Sequence, residues 1–190
     1  MVNSETANRL SGRAIGAMFF TGFGALWLAL SLYAREELGT ASVCAVLLGM
    51  LLLGLASLRI LREAKRWPRV PDDPAMGRAF MRINAIQWIA IGAVAFSFAK
   101  WHFDAYVMNA IAGIVGLHMF PLARLFRYPM HYVTGSLMVI WAAMSIFVVP
   151  AEQLQGVAAL GTGVILWLSA IVSLTLAFQA MRQPVRSAAF

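Results

Sequence analysis

The sequence predicts an all-α polytopic membrane protein: one domain of 190 residues, six transmembrane helices, and both ends on the cytoplasmic side. Three observations predict it. Hydrophobic residues make up 61% and mean hydropathy is +0.76, while charged residues are 12%, about half the usual roughly 25%. The polar residues are not scattered but bunched between apolar runs of about 20 residues, the length that crosses a hydrocarbon layer of roughly 30 Å. The Arg and Lys residues fall almost entirely into alternate gaps, thirteen against two (Arg35 and Lys100). Basic residues beside membrane spans stay cytoplasmic, and only an even number of spans puts all thirteen there.

The first predicted span, residues 14–33, follows Arg9 and Arg13 and superficially resembles a secretion signal. Its apolar run exceeds the 7–15 residues of a signal core, and Ala34-Arg35-Glu36-Glu37 is a weak cleavage site, so it reads as a retained helix. The second, 41–61, holds the sole cysteine, Cys44, read as a small buried residue. With one cysteine no internal disulfide or thiolate metal framework can form. Residues 62–82 form the long connection, predicted as an irregular cytoplasmic loop because Pro68, Pro71 and Pro74 remove backbone donors.

The third span, 83–99, lies between Arg82 and Lys100. The fourth, 105–123, carries Asn109, Ala112, Gly113 and Gly116 at helical spacing, a stripe that lets helices approach closely and predicts a central position. Pro121 removes the hydrogen bond to the Leu117 carbonyl and predicts a kink. The fifth span is 131–149 and the sixth 154–181, with residues 151–155 expected along the outer interface. Gly161-Thr162-Gly163 reads as a flexible point, Gly12, Gly16, Gly22 and Gly24 as weaker packing sites, and Trp101 as an interfacial anchor. Two three-span halves have the parity of an inverted repeat, but no residues match between them.

Several function classes are disfavoured. Every Asp, Glu, Lys and Arg lies at or beyond the end of a predicted span, which argues against ion coupling through a mid-membrane carboxylate and against a membrane-embedded carboxylate metal site. No phosphate-binding glycine loop, Ser-His-Asp set or zinc helix motif is present, so no catalytic or metal-ligating residues are assigned. The net charge of +7 is explained by sidedness, and no nucleic-acid module accompanies it.

His118 is the exception inside a span, six residues before Arg124 and so about 9 Å within the helix end. Asn84 and Gln87 on the third span, and His131, Tyr132 and Thr134 opening the fifth, fall in the same third of the membrane. These six residues are the candidate ligand-binding set, because unpaired polar groups in hydrocarbon are costly. The plainer reading is interhelical hydrogen bonding, worth about 0.6 kcal/mol per pair. Bis-histidine haem ligation by His118 and His131 is disfavoured, since His131 is expected at the interface and His118 well inside, and no cofactor is expected.

The run Gly-x-His-x-x-Pro-Leu-Ala at 116–123, followed by Tyr-Pro-Met-His-Tyr-x-Thr-Gly at 128–135, resembles a motif of small bacterial multispan membrane proteins of uncharacterised activity. Asn84 and Gln87 match the Asn/Gln-containing turn that opens an upstream span in that family. The resemblance covers about the central third of the chain. It implies a bacterial cytoplasmic-membrane protein and gives His118 and Pro121 the standing of a family signature without a role.

The expected function is thus a small multi-pass protein whose cytoplasm-facing polar cavity binds or passes a small solute. The alternative is a non-catalytic scaffold that docks through the basic 59–82 segment. Expected partners are the bilayer, anionic lipid headgroups at that segment, and a second copy or a membrane subunit.

Overall fold

The computed structural model describes residues 4–66 and 73–182. It contains six helices: α1 (Ser4–Ala34), α2 (Thr40–Ala64), α3 (Pro74–Lys100), α4 (Val107–Leu125), α5 (Met130–Val148) and α6 (Ala151–Arg182), with a 3-10 turn at Asp104–Tyr106. All six are long and apolar enough to cross a membrane, and no strand occurs among the described residues.

The helices outrun their apolar cores. α2 continues to Ala64 and α3 starts at Pro74, so the connection predicted over 62–82 shrinks to 65–73. Pro68, Pro71 and Arg69 lie outside the described residues. Pro74 does not break a helix but begins one: it occupies the first turn, where a missing N–H costs nothing, and the Asp73 carboxylate caps it by accepting from the Ala75 amide at 2.8 Å. Residues 151–155, expected along an interface, are the first turns of one continuous α6; Leu154 is buried and Gln155 donates to the Asp104 carbonyl at 2.8 Å.

Three helices end alike. After α1, α3 and α4, residues Glu36, His102 and Arg127 take left-handed φ of 57°, 60° and 48°. In each case the next amide bonds back to a carbonyl five residues earlier: Glu37 to Leu32, Phe103 to Phe98 and Tyr128 to Ala123. This is a Schellman closure, normally made by glycine.

Contacts fix which ends lie together. The Arg13 guanidinium (α1) donates to the Leu176 carbonyl (α6) and stands over the Tyr128 ring between α4 and α5. Arg59 (α2) stands over Phe178 (α6), and Phe80 (α3) meets Phe126 (α4). At the opposite end Ser31 (α1) donates to Gly156 (α6) at 2.8 Å. Every described Arg and Lys except Arg35 and Lys100 therefore belongs to one end of the bundle.

The centre is α6, which packs on α1, α5, α4 and α2 and buries residues on all sides. Its glycines are seats, not a flexible point. Gly24 and Gly163 bring the α1 and α6 backbones together, a Cβ on Gly163 falling 3.0 Å from the Gly24 carbonyl oxygen. The Trp167 indole wedges between Gly24 and Gly49, donating to the Thr21 carbonyl at 3.1 Å. Trp141 lies on Gly161 and donates to the Ala158 carbonyl at 3.2 Å. Gly12, Gly16 and Gly22 face open space and seat nothing. α4 packs on α3, α5 and α6, second to α6 in centrality. Cys44 is exposed, not buried: α2 turns its Gly49, Leu53, Ser57, Ile60, Ala64 stripe inward, and Cys44 lies five positions from Gly49, about 140° around the helix. α3 buries no residue.

Candidate functional site

α4 and α5 meet at a glycine pair that sets the depth of everything around it. A Cβ on Gly116 would stand 2.9 Å from the Gly135 carbonyl oxygen, and one on Gly135 2.6 Å from that of Gly116. In this antiparallel register His118 lies opposite Val133, two residues from His131, or about 3 Å along the axis. The two imidazoles are therefore closer in depth than their positions in the sequence suggest.

His131 is 7% exposed and boxed by rings. Tyr128 and Phe20 meet it edge-on at 5.1 and 5.6 Å, and Phe126 at 6.2 Å. Tyr128 is itself fixed from outside, its hydroxyl 3.0 Å from Ser173 Oγ and its face under Arg13. α1 and the α4–α5 turn thus contribute the walls, and α6 holds Tyr128 in place through Ser173. Inside these walls, His131 Nδ1 has no hydrogen-bond partner. Both ring nitrogens of His118 are shielded from solvent and also lack a well-formed bond.

The other predicted residues go elsewhere. Thr134 Oγ1 is buried, donates to the Met130 carbonyl at 3.0 Å, and shares a 2.8 Å bond with Ser169 Oγ across to α6. Asn84 donates to the Phe80 carbonyl one turn back on its own helix. Tyr132 is exposed, its ring beside Phe120 at 5.7 Å, and Gln87 is half-buried on α3. α4 runs through Pro121 to Leu125, and Pro121 faces outward. In the packing stripe, Asn109, Ala112 and Gly116 are buried and Gly113 half-buried. Asn109 donates to the Ala142 carbonyl at 3.0 Å and to Ser145 Oγ at 2.7 Å, clasping α5.

Polar groups in the bundle thus fall into two kinds. Thr134, Ser145 and the Asn109 amide take part in hydrogen bonds that cross between helices, to Ser169, from Asn109 and to α5 respectively, the structural use. The histidines do not; among the described residues Asn109 Oδ1 and Thr21 Oγ1 are the other shielded side-chain atoms without a partner. The rings around His131 were invisible to the sequence reading. Phe20 is one of many phenylalanines, and Tyr128 read only as part of a turn.

Two hollows lie away from the histidines. One, of about 680 Å³, sits between α3, α4 and α5 and is walled by Phe98, Trp101, Phe103 and Asn109. The other, of about 360 Å³, runs along the end of α2 between Leu55 and Arg66. No set of three or more potential metal ligands clusters among the described residues. Comparison with protein-family models, curated proteins and solved structures gives no match.

Proposed function

We propose that the chain is a multi-pass protein of a bacterial cytoplasmic membrane, with its arginine-rich end in the cytoplasm, that holds or passes a small uncharged solute at His118 and His131. The observation that carries this reading is the shielded His131 Nδ1 without a partner, together with a shielded His118 imidazole that has no more than a poorly formed contact with the Val115 backbone. Leaving a buried donor or acceptor unsatisfied costs about 1–3 kcal/mol each. A membrane interior offers no water to recover it. A neutral imidazole presents one donor and one acceptor, so the complement is a molecule bearing both, such as a hydroxyl or primary amide. The rings of Phe20, Phe126 and Tyr128 supply apolar walls and restrict its size. Thr134, Asn84 and Tyr132 drop out of the set, and the ring box joins it.

The test uses the full chain in lipid nanodiscs with ¹⁵N-labelled histidine, titrated with urea, acetamide and glycerol. We expect at least one solute to move both imidazole resonances saturably, and His118→Leu to remove the response. If no solute moves either resonance while His118→Leu raises stability, the imidazoles are packing residues and the reading fails.

A further inference from the structure

We propose that the C-terminal end of α2 is a binding site for an anionic phospholipid, with Arg59, Arg62 and Arg66 holding the phosphate and Leu55 and Leu58 carrying the first part of an acyl chain. Residues 55, 58, 59, 62 and 66 recur at three- and four-residue steps, which puts them on one side of a helix over about 16 Å. Along that side leucine gives way to arginine. Apolar followed by basic, read toward the helix end, is the order a lipid presents from chain to phosphate.

These residues and Glu63 line a single groove of about 360 Å³. Three guanidinium groups face one carboxylate there, so the lining carries an excess of two positive charges. Arg66 is paired with Glu63 at 3.1 Å and Arg59 stands over the Phe178 ring at 5.9 Å. Arg62 meets no carboxylate among the described residues. Guanidinium forks match phosphate oxygens bidentately, where an ammonium offers only a point charge.

A free phosphate would satisfy the arginines and leave the leucines uncovered; Leu55 is 54% exposed and Leu58 37%. The apolar surface continues along α2 through exposed Leu51 and Leu52, a track that a second hydrocarbon chain can follow. A lipid satisfies both halves of the groove, which decides between the two sources of phosphate. The site narrows the general attraction of a basic segment for anionic headgroups to one face of one helix. It requires that α2 span a bilayer but is independent of the histidine pair.

The test is native mass spectrometry of the full chain in mild detergent with phosphatidylglycerol or phosphatidylcholine of identical acyl chains. One phosphatidylglycerol should be retained in preference to phosphatidylcholine. Each surface cation near a membrane is worth about fivefold in attraction, so R59Q/R62Q should lower retention about thirtyfold. R78Q/R82Q removes the same charge from α3 and should leave it within about twofold. All four arginines are exposed; should the double variant not fold, R62Q alone should give the fivefold loss. Equal loss in the α3 control, equal retention of both lipids, unchanged discrimination in R59Q/R62Q, or displacement by millimolar glycerol 3-phosphate would each overturn the proposal.

Discussion

His131 shows how a side chain's depth and its direction are separate pieces of information. Counting residues from Arg124 and Arg127 gave both histidines their place near one end of the bundle. It could not give azimuth, and azimuth decided the rest of the candidate set: Thr134 turns to Ser169, Asn84 to its own backbone and Tyr132 outward. Pairing of the α4 and α5 registers through Gly116 and Gly135 is a relation between helices, which one sequence does not print. A stability test follows for His131. Phenylalanine has a similar ring, needs no partner for Nδ1, and would sit among Phe20, Phe126 and Tyr128 as a fourth aromatic. We expect His131→Phe to stabilise the folded protein by about 1–2 kcal/mol, measured by denaturant titration in mixed micelles, while abolishing the response to solutes. A loss of stability would mean that the imidazole makes a bond worth keeping.

At the scale of elements, hydropathy found all six helices and missed their ends. The capping signals are the reason. Glu36, His102 and Arg127 occupy the position where glycine usually marks a helix stop, so no glycine announced these ends. Pro74, by contrast, looked like a breaker and is a start. The small-residue logic held on α4 but was incomplete on α6, because glycine can make room for a tryptophan on a neighbouring helix as well as for a backbone. Trp167 illustrates the cost of such an arrangement. Its ring fills the space over Gly24 and Gly49 and its Nε1–H satisfies the Thr21 carbonyl. Trp167 is half-buried, so Trp167→Ala should destabilise by about 2–3 kcal/mol, below the range of roughly 3–5 kcal/mol for a fully buried aromatic, with α1 loosening from α6. Midpoint measurements in the same micelles check this; a change under 1 kcal/mol would show that lipid or neighbouring side chains refill the gap.

For the whole molecule, the alternation of charge and the gathering of basic residues at one end of the bundle are two views of one fact. The contacts of Arg13 with Leu176 and of Arg59 with Phe178 bring those ends together without any reference to a membrane, and sidedness then supplies the orientation. Thirteen basic residues against two predicts that reporters fused at the α2–α3 connection and after α6 are both active in the cytoplasm, and one fused at 36–39 only outside it. A periplasmic signal after α6 would break the even helix count. α3, with nothing buried and α4 as its main neighbour, is the helix least held by the rest of the protein.

The heavy reliance on α6 has a temporal side. Thr21 and Trp167, which join the first helix to the last, are 146 positions apart. At about 5–20 residues per second, a ribosome needs roughly seven to thirty seconds to get from one to the other. For that interval α1 lacks its main partner, and its seam of serine, threonine and alanine stays uncovered by α6. Neighbouring helices such as α1 with α2 and α4 with α5 can pair as they are made, but the bundle closes only when α6 joins them.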